Sequence, residues 1–431
     1  MHDEAQRPPP WSEMRRAFGR IGILSFGGPA AQIALMHREL VEERGWLTEE
    51  RFAAALSFCM LLPGPEAMQL ATYAGWRLRR VPGGLLAGLL FVLPGAAVIF
   101  ALAAVYVAYG DVPWVEAGFL GIKTAVVVIV IEALTKIAKR ALTAPDRWAV
   151  AALSFGAIFL LDLPFPVIIG AAALYGWLSA KGAARPAPAP ERPRTLRTVA
   201  IWLAIWLVPL ATLRLAGAER LWEIGAYFAK LAVLTFGGAY AVLAWMAQEA
   251  VETKGWLTAA QMVDALGLAE TTPGPLILVT QFVGTLAGLP GGPWMGLAGG
   301  LVALHATFAP CFLWIFAGAP WLEAVTARPR PAAALRAVTA AVVGVILDLS
   351  LWFAAHVFFE RQDVLILGPL RVSAPSGPDP RALALAALSA ILLLVLRWPL
   401  PAVLAAAGLG GVLVSGDAGA AAALSHPAIL P

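Results

Sequence analysis

Two short strings hold most of the chemistry this chain could do. Phe26-Gly27-Gly28 is followed by Pro63-Gly64-Pro65, and Phe236-Gly237-Gly238 is followed, at the same spacing, by Pro273-Gly274-Pro275. A proline has no amide hydrogen and pushes the residue before it out of the helical region, so Pro-Gly-Pro inside an apolar run must interrupt a helix. Backbone left unpaired in lipid is costly, and such a break survives only where protein or a watery cavity satisfies it. Beyond each break a new half-helix starts near Glu66 or Leu276, and its free N–H groups and positive dipole end form a cradle for an anion. A plain proline kink is the alternative, but it does not explain why the tripeptide recurs at one repeat position. The paired glycines allow an unwound turn or close backbone approach; tight helix packing by small residues is the competing reading.

The ionisable residues inside apolar runs come next, because charge is expensive there. Glu132 and Asp348 fall at matched positions deep in such runs. They could carry protons for coupling, or serve as structural hydrogen-bond partners. Arg20 and Lys230 also match, just ahead of the two Phe-Gly-Gly strings. Each could attract an anion or snorkel to the interface. Glu39 and Glu249 match as well, with His37 present in the first copy alone, and these could gate the pathway or stabilise a short helix.

The elements that must position these groups are membrane helices. Of the 431 residues, 60% are hydrophobic and 13% charged, and mean hydropathy is +0.77. A soluble chain carries about 25% charged residues. Apolar stretches near 17–36, 52–75, 84–109, 116–138, 148–162, 166–179, 198–214, 222–247, 262–287, 294–318, 332–359, 382–397 and 400–415 suggest about thirteen spans, the shorter ones and the Pro-Gly-Pro segments being candidates for re-entrance. The Pro/Ala-rich stretch Ser179–Thr198 reads as a polar linker, and Glu360–Arg381 as an extramembrane loop. With the N-terminus in the cytoplasm, most Lys and Arg fall on the inner side, as the positive-inside rule requires. The net charge of +4 therefore reports orientation, not a nucleic-acid surface. Cys59 and Cys311 both lie in apolar segments and read as core residues. The N-terminus lacks the order of a signal peptide, so the first apolar segment is expected to direct insertion itself.

From Leu24 to Pro65 the chain aligns without a gap to Leu234–Pro275, with 19 identities in 42 positions at an offset of 210. Further on the offset is 216, matching Pro94 to Pro310 and Ala125–Val127 to Ala341–Val343. Two six-span halves joined by a linking span place the second upside down, an architecture whose substrate site lies at the midplane. The expected fold is all-α, with residues 1–180 as the first repeat, 181–221 as linker and linking helix, and 222–431 as the second repeat. The five histidines are scattered and no nucleotide loop or metal-type spacing occurs, so neither an enzyme nor an ATP-driven pump is expected, and no cofactor. A non-transporting membrane scaffold is the rival from another class.

The string "FGGPAAQIALMHRELVEERGWL…LLPGPEAMQLATYAGW" resembles the chromate ion transporter family, bacterial inner-membrane proteins of two homologous halves. The resemblance covers essentially the whole chain. It implies export of chromate by membrane potential or proton exchange, with sulfate as the look-alike anion, and leaves a homodimer open. The family's motif residues carry over onto Phe26, Gly27, Gly28, Pro29, Gln32, His37, Glu39, Gly45, Trp46, Pro63, Gly64, Pro65, Gln69 and Gly75. The second half is looser, with Ala239, Ala247 and Leu276 replacing Pro29, His37 and Glu66. That asymmetry places most of the specificity in the first half. A proton-coupled permease for sulfate or another oxyanion is the runner-up.

Overall fold

The computed structural model describes residues 8–26, 28–110, 112–180, 195–236, 239–322, 328–367 and 370–425. Among the described residues five helices are long and apolar enough to cross a membrane, and several shorter apolar helices accompany them. In chain order the helices are α1 (Trp11–Leu24), α2 (Gly28–His37), α3 (Glu49–Cys59), α4 (Glu66–Tyr109), α5 (Pro113–Ala141), α6 (Pro145–Phe159), α7 (Phe165–Ser179) and α8 (Thr195–Leu215). Then follow α9 (Glu219–Leu234), α10 (Ala239–Gln248), α11 (Ala259–Thr271), α12 (Val279–Gly288), α13 (Pro293–Gly318) and α14 (Pro329–Phe358). The chain closes with α15 (Pro380–Ala390) and α16 (Leu400–Ser425).

The apolar stretch 17–36 is two helices, not one. Continued as a single helix at 1.5 Å per residue, Arg20 and Glu39 would stand about 28 Å apart; instead they pair at 2.9 Å. The chain therefore turns back at Ser25–Phe26, and α2 runs down beside α1. Stretch 52–75 is split as well. α3 ends at Cys59, the Pro-Gly-Pro follows, and α4 starts at Glu66. α4 is itself bent double, because Arg79 (φ −142°) and Arg80 (φ 51°) leave helical geometry. Its limbs touch at glycine, and a Cβ on Gly75 would lie 2.2 Å from the Gly83 carbonyl oxygen. The second half repeats this. α9 and α10 are separate, a 3₁₀ turn Leu276–Leu278 precedes α12, and α12 packs on α13 with Gly284 against the Gly299 carbonyl.

The local signals behind these turns are also doubled. Gly45 (φ +60°) and Gly255 (φ +56°) take matched left-handed conformations ahead of Trp46 and Trp256. Thr48 and Thr258 cap α3 and α11. A π-helical turn extends α2 over Arg38–Glu43 and α10 over Glu249–Thr253.

The later helices interlock the halves. α16 lies on α5, where a Cβ on Gly121 would meet the Ala407 carbonyl at 1.8 Å, and α6 lies on α14, where Gly344 faces the Ala151 carbonyl. Small residues let membrane helices approach this closely. The segment expected as a loop after α14 instead forms an antiparallel hairpin, β1 (Phe359–Leu367) with β2 (Leu370–Pro378), pairing Phe359 with Pro378. Of the segment expected as linker and linking helix at 181–221, residues 181–194 lie outside the described residues and the linking helix is α8.

Candidate functional site

The four chain breaks meet, and they do so crosswise. The Gly64 amide of the first Pro-Gly-Pro donates to the Thr235 carbonyl of the second half at 2.8 Å. The Gly274 amide of the second Pro-Gly-Pro donates to the Ser25 carbonyl of the first half at 2.9 Å. Both bonds join positions equivalent under the repeat offset. Left-handed glycines make the geometry possible, with φ +115° at Gly64 and +94° at Gly274. The hydroxyls of Ser25 and Thr235 turn back to the Ile21 and Leu231 carbonyls at 2.5 and 2.7 Å, again as a matched pair. Phe26 and Phe236 are half-buried at the breaks; Gly27, Gly237 and Gly238 lie outside the described residues.

Around this crossing sit neutral polar side chains. The Gln32 amide donates to the Gly274 carbonyl at 2.7 Å and the Gln69 amide to the Pro63 carbonyl at 2.6 Å. Gln281 on α12 donates to the Ala96 carbonyl at 2.8 Å. The three glutamines are buried, and each has a side-chain oxygen with no hydrogen-bond partner. Thr307 donates to Thr280, and Cys311 lies against Gly64 and Gln69. Pro63, Pro65, Pro273 and Pro275 are buried. The half-helix of α4 starts directly at Glu66, whose half-buried carboxyl complements the positive helix end. On the other side Leu276 occupies that place and opens the 3₁₀ turn. The donors left for an oxyanion are the second N–H of the Gln69 and Gln281 amides and the free N–H groups at the start of α4, while the unpartnered glutamine oxygens can only accept.

Of the other charged residues expected near the site, most are engaged with partners of their own. Arg20 is exposed and pairs with Glu39 at 2.9 Å; Arg44 approaches Glu39 at 3.4 Å, and Glu39 itself is fully buried. The second half keeps the residue types but not the pairing. Lys230 lies over the Trp245 ring, and Lys254 pairs with Glu223 at 3.0 Å. Among the described residues no ion pair joins Lys230 to Glu249. These groups line a cavity of about 640 Å³ with Arg220, Trp222 and Tyr227. His37 bridges Glu49 at 2.6 Å and Glu42 at 3.0 Å; the hydrogen bond with Glu49 raises its pKa above 6.5.

Glu132 and Asp348, matched in sequence, stand in different surroundings. Glu132 is held by Lys136 at 2.6 Å on its own helix. Asp348 faces a cavity of about 390 Å³ with Asp162, Glu252, Trp352 and His356.

Three residues absent from the sequence expectations form a cluster between the halves, with Asp264 buried and Lys123 and Tyr106 half-buried. Lys123 on α5 pairs with Asp264 on α11 at 3.1 Å, and the Tyr106 hydroxyl donates to the same carboxylate at 2.9 Å. The two charges inside apolar runs were the available signal. Gln281, Thr280 and Thr307 had none, since neutral polar residues are ordinary in membrane helices. Among the described residues no group of His, Cys, Asp and Glu could hold a metal ion.

Comparison with known proteins adds the family. The chromate transporter family matches residues 12–177 and 222–412. A "Chromate transport protein" of Pseudomonas aeruginosa is 34% identical over 375 residues, covering 84% of this chain and 85% of that protein. One of Cupriavidus metallidurans is 32% identical over 334 residues, covering 76% and 79%. An archaeal relative from Methanocaldococcus jannaschii, named only as an uncharacterized transporter, is 24% identical over 357 residues. No solved structure matches the chain significantly. With both halves matched and a relative of this identity spanning most of each chain, the protein belongs to the chromate transporter family.

Proposed function

We propose that this protein exports chromate, or a similar tetrahedral oxyanion, from the cytoplasm as a secondary transporter. The observation that carries the reading is the reciprocal bonding of Gly64 to Thr235 and Gly274 to Ser25 in a member of this family. It brings two half-helix ends and three buried glutamines to one place, the pattern expected of a midplane site built by inverted repeats. Phe26, Gly27, Gly28, Pro63, Gly64, Pro65, Glu66 and Gln69, with Phe236, Gly237, Gly238, Pro273, Gly274 and Pro275, are the proposed binding set. Arg20 and Lys230 act at its two approaches, and His37, Glu39, Glu132 and Asp348 in gating or coupling.

The topology that fits these contacts has nine crossings. In the first repeat (1–180), α1/α2 and α3 with the first limb of α4 re-enter from the cytoplasmic side. The second limb of α4, then α5, α6 and α7, cross. After the linker, α8 crosses, and the second repeat (222–431) re-enters from the outer side before α13, α14, α15 and α16 cross. Arg77, Arg79, Arg80, Lys139, Arg140, Arg147, Arg328, Arg330 and Arg397 then face the cytoplasm with the N-terminus, as in a multi-pass inner-membrane protein. On this reading the paired cluster at Glu39 closes the cytoplasmic approach, and the cavity at Lys230 opens outward.

Energetics favour export. A dianion leaving a negative-inside cell gains about 4.6 kcal/mol at ~100 mV, enough to sustain a gradient of about three decades. Uptake of sulfate would have to overcome the same energy by coupling. The test is chromate and sulfate accumulation in inside-out vesicles carrying the protein, with a potential imposed by a potassium gradient. Potential-driven chromate accumulation lost in Pro65→Ala and Pro275→Ala is the expected result. No flux of either anion under a potential or a pH gradient would overturn it and point to a scaffold, and unimpaired flux in both proline variants would place the binding site away from the breaks.

A further inference from the structure

The Lys123–Asp264–Tyr106 cluster is a charged contact that the binding set does not use. It joins the halves, since Lys123 stands on α5 of the first and Asp264 on α11 of the second. Both side chains are largely withdrawn from solvent, at 18% and 6% exposed. The other groups that Asp264 faces are the Tyr106 hydroxyl on α4 and, at longer range, the Glu116 carboxylate on α5. A packed path runs from the pair to the crossing. The Tyr106 ring meets Phe282 edge-on at 5.4 Å, and Phe282 follows Gln281 on α12.

A buried ion pair resists opening because separation strands two charges out of water. A neutral or cationic solute offers Lys123 nothing in exchange for Asp264. An oxyanion does, because its oxygens can take the place of the carboxylate at the ammonium. The corresponding positions of the other approach, Ala54 and Thr339, carry no charge. We propose that Lys123 is an anion-selecting residue of the outer route, at which a passing tetrahedral oxyanion displaces Asp264 and so opens the contact between the halves. This rests on the transport reading above. It assigns Asp264 as a competitor of the transported anion, not as its ligand.

The two single variants then behave oppositely. Asp264→Asn removes the competitor and leaves Lys123 free; Lys123→Met leaves an unopposed carboxylate on the route. The experiment is initial-rate chromate uptake against concentration in inside-out vesicles of the full chain, with thermal unfolding of the purified proteins in detergent alongside. Asp264→Asn is expected to lower KM about threefold or more with flux retained, whereas Lys123→Met loses about tenfold or more in kcat/KM, the scale of one charged hydrogen bond. Lys123→Arg, which keeps the charge, is expected to restore most of the loss. A merely structural bridge predicts instead that both neutral variants lose flux together, in step with their melting temperatures, and that result overturns the proposal. Equal kinetics in all variants overturns it too, while wild-type flux preserves the transport reading. Absence of chromate flux in the wild type removes the transport reading, and the proposal with it.

Discussion

The two Gly-Trp-Leu corners of this protein are built from one blueprint and finished differently. In the first, Arg44 lies over Trp46 at 5.1 Å, and Phe18 meets that ring at 6.3 Å. In the second, Lys254 lies over Trp256 at 5.1 Å, with Phe228 again at 6.3 Å. The aromatic scaffold is thus conserved to the ångström within one chain. The charge network on it is not. Glu39 is buried under Arg20 and Arg44, while Lys254 has turned away to Glu223 and left Lys230 and Glu249 beside a cavity. Duplication preserves packing more faithfully than ion pairing, because a ring fills one space whereas a long charged side chain can find several partners of similar energy. The Arg-bearing corner is thus paired around its carboxylate, and the Lys-bearing one lies beside a cavity.

Breaking the closed corner is expected to have the largest effect. Glu39→Gln leaves two guanidinium groups without their buried carboxylate and is expected to cost about 2–4 kcal/mol, below the range for a fully buried pair because Arg20 is half exposed. Glu249→Gln, at the matched position, is expected to cost under about 1 kcal/mol. Thermal unfolding of the two variants in detergent reads the difference directly, and equal losses would mean that the corners are equivalent in solution.

The two left-handed glycines differ in the room they leave. A Cβ on Gly64 would stand 2.8 Å from the Gln69 amide and 2.9 Å from the Cys311 sulfur, whereas one on Gly274 would find Leu278 at 3.1 Å. Both substitutions to alanine carry a backbone penalty of about 1–2 kcal/mol. Gly64→Ala adds a clash with the site itself and is expected to abolish transport, with Gly274→Ala retaining a measurable fraction in the vesicle assay. The reverse order would place the tighter half of the site in the second repeat.

Glu132 and Asp348 sharpen the comparison at a smaller scale. Glu132→Gln loses only a pair within one helix, worth about 0.3–0.5 kcal/mol. Asp348→Asn removes one of three carboxylates from its cavity, so it is expected to leave stability nearly unchanged and to alter the pH dependence of transport. A pH profile identical to wild type would remove Asp348 from any coupling role.

The smallest effect concerns His37, which has Ala247 as its counterpart. Its folded pKa is raised above 6.5 by Glu49 and Glu42. The stabilisation is therefore complete below pH 6.5 and fades as pH rises through the raised value. His37→Ala is expected to lower the melting temperature slightly at pH 6 and not at pH 9; a loss independent of pH would assign His37 to packing against Phe52 instead.

How the site is assembled was partly legible beforehand. Pro-Gly-Pro and Phe-Gly-Gly mark breaks whatever surrounds them, because a missing amide hydrogen and a missing Cβ act locally. Fixed composition and period likewise determined a helical membrane protein with two related halves. Ser25 and Thr235 were invisible, since a hydroxyl beside a break acquires meaning only when the other half's glycine amide arrives at its carbonyl. The pairing of Lys123 with Asp264 was equally hidden, because it spans the two halves and obeys no sequence spacing. The tertiary structure alone decided that each Pro-Gly-Pro closes on the other repeat's break, that apolar stretches of spanning length are broken into separate helices, and that one charged corner is paired while its twin lies beside a cavity. Such choices depend on contacts between segments far apart in the chain, and local propensity carries no information about them.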